Sequence, residues 1–126
     1  MSMFRATLQI LSADGERSLD LSMWVDSGAL YTQMPASVLT GLGYEPDDTR
    51  LFRLADGTTF ESPIGDIRVS LNGRRPRNVV CVFAEEDSDL LIGATTLEAF
   101  TVGVDPVNER LIPDVARMLT MIPVDE

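Results

Sequence analysis

The sequence predicts a mostly β domain, a small barrel or closed sheet with one or two short helices. Short apolar runs alternate with turn residues along most of the chain. Three Asp-Gly or Asn-Gly dipeptides separate such runs, at Asp14-Gly15, Asp56-Gly57 and Asn72-Gly73. With 126 residues, 44% of them apolar, the chain is long enough for one domain over residues 1–126 with a core of its own.

The first 43 residues are predicted to form a hairpin, a further short strand and a helix. The expected bounds are 4–11 and 19–25 for the hairpin strands, 30–35 for the third strand and 36–43 for the helix. Asp14-Gly15 supplies the hairpin turn. Pro35 ends the third strand, and a glycine, either Gly41 or Gly43, stops the helix.

Residues 49–86 are predicted to contain three or four further strands. The clearest of these are IRVSL at 67–71 and NVVCVF at 78–83. The dipeptides Asp56-Gly57 and Asn72-Gly73 both suit a type I′ turn, in which the two central residues have positive φ.

The C-terminal third is predicted to contain a short helix followed by a hairpin. Within residues 89–100 the apolar run ends at Gly93, and Thr95 and Glu98 then have the spacing of a capping box. Residues 101–113 are predicted to form the hairpin.

The tail, residues 114–126, is compatible with a further strand or with a short helix. We expect MLTMI at 118–122 to add an interface strand or to cover a sheet edge, because an exposed apolar strand invites aggregation.

Composition excludes several classes of function. Acidic residues outnumber basic ones by 20 to 10, which disfavours nucleic acid as a partner, and the basic cluster at 72–78 is interpreted as a solvated hairpin tip. The acidic run at 85–89 lacks the spacing of a calcium loop, and no metal or cofactor is expected.

No apolar stretch is long enough to span a membrane, and the N-terminus lacks the apolar region of a signal peptide. The single cysteine, Cys81, is interpreted as a packed small side chain and suits a reducing compartment, so we expect a soluble cytoplasmic protein.

Histidine is absent from the chain. This removes Ser–His and Cys–His nucleophiles and the usual zinc sites, so carboxylates are the leading candidates for any acid/base chemistry. Asp26 is the most conspicuous, because it lies between bulky apolar residues, where a carboxylate is costly unless it is compensated. Asp, Ser and Gly are also ordinary turn formers, so the triplet at 26–28 is weak evidence when taken alone.

Three features in a fixed order make the triplet more informative. They are WVDSGA at 24–29, a glycine-bearing hairpin LADGTTF at 54–60, and LLIGATTLEAF at 90–100, in which two apolar residues and a glycine introduce a helix. This order resembles the retroviral-type, or retropepsin-like, aspartic proteases and each half of the pepsin-like enzymes, over residues 4–113. The resemblance implies a small closed β-barrel of the retropepsin-like type.

The resemblance also implies roles for individual residues around the triplet. Asp26 is expected to be catalytic, and Ser27 is expected to hydrogen-bond across a two-fold axis and brace the two catalytic loops. Gly28 is expected to allow a close turn and, with Ala29, to offer backbone groups to substrate.

Two further segments receive roles by the same resemblance. The hairpin tip, Ala55, Asp56, Gly57 and Thr58, is expected to form a flap that folds over the cleft and binds substrate. The apolar–apolar–glycine motif, Leu91, Ile92 and Gly93, is expected to pack beneath the catalytic loop.

Dimerisation is expected because the chain has a single Asp-Ser-Gly triplet, whereas this chemistry needs two carboxylates that share one proton. A two-fold homodimer supplies the second Asp26 by symmetry. The prediction is therefore an aspartic endopeptidase that hydrolyses peptide or protein substrates as a homodimer, with an acidic optimum. Leu30 departs from the pattern, since retroviral enzymes usually carry another Asp at that place. Two alternatives remain: a non-catalytic peptide-binding or dimerisation module that keeps the fold, and an unrelated β domain whose triplet is an ordinary turn.

Overall fold

The computed structural model of the protein describes residues 3–113. The described strands are β1 (Arg5–Leu11), β2 (Ser18–Val25), β3 (Thr32–Pro35), β4 (Asp48–Arg53), β5 (Thr59–Leu71), β6 (Arg77–Ala84), β7 (Leu91–Ile92), β8 (Val102–Asp105) and β9 (Arg110–Pro113). The described helices are α1 (Ala36–Gly41) and α2 (Ala94–Ala99). The predicted mostly β fold with two short helices is confirmed. The predicted strand at 118–122 lies outside the described residues.

Seven of these strands form one sheet in the order β1-β2-β7-β3-β6-β5-β4, and β1 also pairs with β5. The short strand β7 lies in the interior of the sheet, because it pairs in parallel with β2 on one side and antiparallel with β3 on the other. Strands β8 and β9 form a separate two-stranded sheet. Strand β1 thus pairs with both β2 and β5. Closure of the sheet into a barrel stays a prediction.

The core is filled mainly by side chains from the strands of the large sheet. On β1, Leu8 and Ile10 are fully buried while Gln9 between them is not, which is the alternation expected of a strand with one face on the core. Other fully buried apolar side chains include Met23, Met34, Leu39, Ile67, Leu71 and Ile92. Across residues 3–113, no helix is long and apolar enough to cross a membrane.

Of the two dipeptides predicted to form type I′ turns, Asn72-Gly73 does and Asp56-Gly57 does not. Asn72 and Gly73 have φ of 50° and 76°, as the predicted type I′ turn requires. At Asp56-Gly57 that prediction is wrong, because Gly57 alone has positive φ, at 90°. The Gly57 N–H donates to the Leu54 carbonyl (2.9 Å), so Ala55 and Asp56 are the central residues of the turn and Gly57 follows it. This is a three-residue hairpin loop with its glycine in the left-handed region.

The predicted capping box at Thr95 and Glu98 is also wrong. Helix α2 begins at Ala94 with Gly93 as its N-cap, and no side chain caps it. The first N–H groups of the helix donate instead to main-chain carbonyls, from Ala94 to Ala29 (2.7 Å) and from Thr95 to Leu30 (3.0 Å). Because a distant loop already satisfies these donors, the helix needs no side-chain cap.

Candidate active site

Asp26 lies one residue beyond the end of β2, in a turn. The Ala29 N–H closes this turn by donating to the Asp26 carbonyl (3.1 Å). The Asp26 carboxylate is half-buried, and its Oδ1 accepts a hydrogen bond from the Gly28 N–H (3.0 Å). Ser27 and Gly28 are exposed. The carboxylate is therefore oriented by its own loop and reaches solvent, rather than lying within a buried strand.

Main-chain hydrogen bonds from the β7–α2 segment hold this turn on both sides. Before the turn, the Asp26 N–H donates to the Ile92 carbonyl (3.0 Å). After it, the Ala29 carbonyl accepts from the first N–H of α2, that of Ala94. The turn is thus fixed by the backbone of a segment more than sixty residues away in sequence.

Gly93 lets the two segments approach closely. A Cβ atom built at Gly93 would lie 2.4 Å from the Tyr31 carbonyl carbon, 2.5 Å from its oxygen and 2.8 Å from the Thr32 nitrogen. Any side chain here would overlap main-chain atoms. The structure places Leu91, Ile92 and Gly93 directly beside the Asp26 turn, as the sequence predicts.

A buried pair of hydroxyl groups, which the sequence interpretation missed, joins β3 to α2. Thr32 Oγ1 and Thr96 Oγ1 are 2.6 Å apart, and both side chains are fully buried. Thr32 Oγ1 also accepts a hydrogen bond from the Gly93 N–H (3.1 Å). The sequence offered one signal for this pair, a threonine in each of two apolar segments. The signal is weak, because threonine is also common in strands.

The hairpin that the sequence analysis predicts to be a flap consists of β4 and β5. Its tip residues are exposed: Ala55, Asp56, Gly57 and Thr58. The described hydrogen bonds of the tip stay within the hairpin: the Leu54 N–H donates to the Thr58 carbonyl (2.7 Å), and the Thr58 N–H donates to Asp56 Oδ1 (2.8 Å). Hydrogen bonds from the Thr58 side chain and backbone lower the pKa of Asp56, so this carboxylate stays charged in mild acid.

Aromatic side chains connect the stem of the flap to the loop that follows Asp26. Phe52 stacks on Phe60, with ring centroids 5.5 Å apart. Phe52 and Tyr31 pack edge to face, with ring centroids 6.0 Å apart. Arg50 Nη1 donates to the Tyr31 hydroxyl (3.1 Å). The stem of the β4–β5 hairpin therefore contacts the loop that follows Asp26.

A family model described as "Aspartyl protease" matches residues 10–96. The chain belongs to the aspartyl protease family. Among solved structures, it is similar to the retroviral protease-like domain of Ddi1 from Leishmania major, at 16% identity and a TM-score of 0.56, over 90% of each chain. It is also similar to a retropepsin-like aspartic protease from Rickettsia conorii, at 18% identity and a TM-score of 0.51, over 82% of this chain and 88% of that one. No curated protein matches it significantly. The fold is retropepsin-like, and the alternative of an unrelated β domain is wrong.

The predicted site residues of this aspartyl protease fall into two groups. Asp26, Ser27, Gly28 and Ala29 share one turn, and the flap tip at 55–58 forms another. A cavity of about 190 Å³ lies between the loop that follows Asp26 and the stem of the β4–β5 hairpin. Ala29 is one of its walls, whereas the tip residues lie outside it. In the described part of the chain, no cluster of three or more acidic or cysteine side chains is arranged to hold a metal ion.

Proposed function

We propose that this aspartyl protease is an endopeptidase that acts as a homodimer, with Asp26 of each subunit activating a water molecule. The family match and the retropepsin-like fold support proteolysis in general. The single observation that carries the finer proposal is the position of Asp26, in a turn braced by β7 and α2 with its carboxylate open to solvent. One chain supplies one such carboxylate, so the proposed site is complete only when two chains meet.

Two carboxylates held a few Å apart do not both ionise easily, and aspartic proteases are the standard example of such a pair. One carboxylate takes a proton from water as the water attacks the peptide carbonyl. The other donates its proton to the carbonyl oxygen, so that a tetrahedral intermediate forms without a covalent acyl-enzyme. The Gly28 N–H, which donates to Asp26 Oδ1, holds the carboxylate in a defined orientation.

The proposal also assigns roles to Ser27 and to the tip of the β4–β5 hairpin. Ser27 is exposed beside Asp26, which leaves its hydroxyl available to hydrogen-bond across the proposed two-fold axis. Main-chain groups of Gly28, Ala29 and the flap tip at 55–58 would pair with an extended peptide as with an added strand.

Replacing Asp26 with Asn tests the catalytic role. We expect the variant to lose peptide hydrolysis by at least about a hundredfold, because it removes an acid/base group and keeps the shape of the side chain. Asp20→Asn is a matched control, since Asp20 is an exposed carboxylate on β2, the strand that leads into the Asp26 turn. Hydrolysis of a complex peptide mixture, followed by mass spectrometry from pH 3 to pH 8, gives the readout. Full activity in the Asp26→Asn variant would end the proposal.

Mixing wild-type protein with the Asp26→Asn variant tests the homodimer. With a ninefold excess of variant and free exchange of subunits, about a tenth of the wild-type subunits meet another wild-type subunit, so activity should fall to about a tenth. Unchanged activity would mean that each subunit carries a complete site. Peptide binding without hydrolysis by the wild-type protein would replace the endopeptidase with the alternative, a non-catalytic peptide-binding module.

A further inference from the structure

The peptide unit between Ile92 and Gly93 is hydrogen-bonded on both sides. Its carbonyl oxygen accepts from the Asp26 N–H (3.0 Å), and its N–H donates to Thr32 Oγ1 (3.1 Å). No cis peptide bond occurs in residues 3–113, so this planar unit directs its C=O and its N–H to opposite sides. The Asp26 main chain and the Thr32 hydroxyl are therefore joined through one rigid group.

The Thr32 hydroxyl is itself held in the interior of the protein. Thr32 lies on β3, which pairs with β6 along all four of its residues. Its side chain is fully buried, and Thr32 Oγ1 lies 2.6 Å from the equally buried Thr96 Oγ1 of α2. A β-branched side chain also has few rotamers available. The acceptor of the Gly93 N–H thus belongs to the packed core and not to a loop.

Gly93 occupies the point at which a shift would reach both ends of the Asp26 turn. The residue before it, Ile92, accepts from the Asp26 N–H, and the residue after it, Ala94, donates to the Ala29 carbonyl (2.7 Å). Gly93 is buried but has no side chain through which packing could hold it. Its hydrogen bond to Thr32 therefore fixes a peptide unit on which the position of Asp26 depends.

We propose that Thr32 is a positioning residue for Asp26, because its hydroxyl fixes the Ile92–Gly93 peptide unit and that unit fixes the Asp26 main chain. The consequence for hydrolysis rests on the proposed function, in which Asp26 activates water. Removing the hydroxyl leaves the buried Gly93 N–H without its acceptor, so the peptide unit moves to find another. A displacement of about 1 Å at a catalytic group can lower a rate by about a hundredfold.

Three variants of the full chain separate the hydroxyl from the rest of the side chain. Thr32→Val keeps the shape and removes the hydroxyl, Thr32→Ser keeps the hydroxyl, and Thr96→Val leaves the acceptor of the Gly93 N–H in place. With a peptide that the wild-type protein cleaves, we expect Thr32→Val to lower kcat roughly tenfold or more and to change KM less than about threefold. Thr32→Ser should restore kcat to within about threefold of wild type. Thr96→Val should lower kcat about threefold, and it carries the test if Thr32→Val does not fold.

Ser12→Ala is the matched control for the loss of a buried hydroxyl. Ser12 Oγ donates to Asp14 and accepts from the Arg17 N–H, so it makes two hydrogen bonds, as Thr32 Oγ1 does. It lies in the turn between β1 and β2, at the opposite end of β2 from Asp26. Its loss should leave kcat unchanged at a temperature at which circular dichroism shows every variant to be folded. A kcat of Thr32→Val within about twofold of wild type, a loss that Thr32→Ser does not restore, or an equal loss in Ser12→Ala would each overturn the proposal.

Amide hydrogen exchange separates this proposal from the endopeptidase proposal, because it needs no activity. The exchange rate of the Asp26 N–H, read by NMR, is divided by that of Leu8, which is fully buried on β1 between β2 and β5. We expect this ratio to rise at least about tenfold in Thr32→Val and to stay within about threefold of wild type in Thr32→Ser and Ser12→Ala. If the wild-type protein cleaves nothing but the ratio rises as expected, the endopeptidase proposal fails and the positioning role stands. An unchanged ratio in Thr32→Val overturns the positioning role.

Discussion

Replacing Gly93 with alanine is expected to destabilise the protein strongly. The added Cβ would lie 2.4 Å from the Tyr31 carbonyl carbon and 2.5 Å from its oxygen. These neighbours are main-chain atoms, which cannot rotate away as the end of a side chain can. Either the loop after Asp26 or the start of α2 must therefore move.

The size of the effect follows from these contacts. Overpacking a buried site costs typically about 1–3 kcal/mol, and contact with backbone places Gly93 at the upper end of that range. Moving the Gly93 N–H away from Thr32 Oγ1, now 3.1 Å apart, adds about 1 kcal/mol. We therefore expect the free energy of unfolding to fall by about 3–4 kcal/mol, a large part of the roughly 5–15 kcal/mol of a typical domain. The melting temperature should drop by about 11–15 °C.

Gly41→Ala is the matched control for this prediction. Gly41 ends α1, and a Cβ built there meets no atom within 4 Å. The same substitution should be neutral or should stabilise by up to about 1 kcal/mol, because it restricts the unfolded chain. Urea unfolding followed by circular dichroism measures both variants. If Gly93→Ala unfolds within about 0.5 kcal/mol of wild type, the close approach of the two segments is not as described.

Two further predictions concern buried groups. Thr32→Val should cost about 1–2 kcal/mol more than Thr96→Val in urea unfolding, because it strands both the Thr96 hydroxyl and the Gly93 N–H; equal costs would contradict this. Burial raises the pKa of the Cys81 thiol to about 12, so it should not react with a disulfide reagent at pH 8 until the protein is unfolded, and rapid labelling of the native protein would contradict its burial. Since this pKa is raised on folding, the contribution of Cys81 to stability is complete below about pH 9 and is lost as the pH rises towards about 12.

Local patterns predicted the hairpins well. The dipeptide Asn72-Gly73 forms the type I′ turn that its residues favour, because nothing distant competes with that local preference. The Leu91–Gly93 motif lies beside the Asp26 turn, as the resemblance implied. The cytoplasmic location inferred from a lone cysteine, and the extent of the domain to residue 126, stay predictions.

A long-range contact explains one error of the sequence interpretation, and a local side-chain hydrogen bond explains the other. Thr95 and Glu98 have the spacing of a capping box, yet the N-cap of α2 is Gly93, two residues before Thr95, because carbonyls of the distant Asp26 loop accept the first N–H groups of the helix. At Asp56, a hydrogen bond from Thr58 to its carboxylate fixes a turn in which only Gly57 needs positive φ. The partners of the α2 N-terminus are not written in the local pattern, whereas the Asp56 turn depends on a residue only two positions away.

The way in which the Asp26 loop is held leaves most of its side chains unspecified. Its position depends mainly on main-chain bonds, to Ile92 before the turn and from the first N–H groups of α2 after it, and such bonds do not specify side chains. Gly93 and Thr32 are the exceptions, since there the side chain, or its absence, sets the packing. At Leu30 the hydrogen bond to α2 is made by the carbonyl oxygen, so this contact does not specify the side chain.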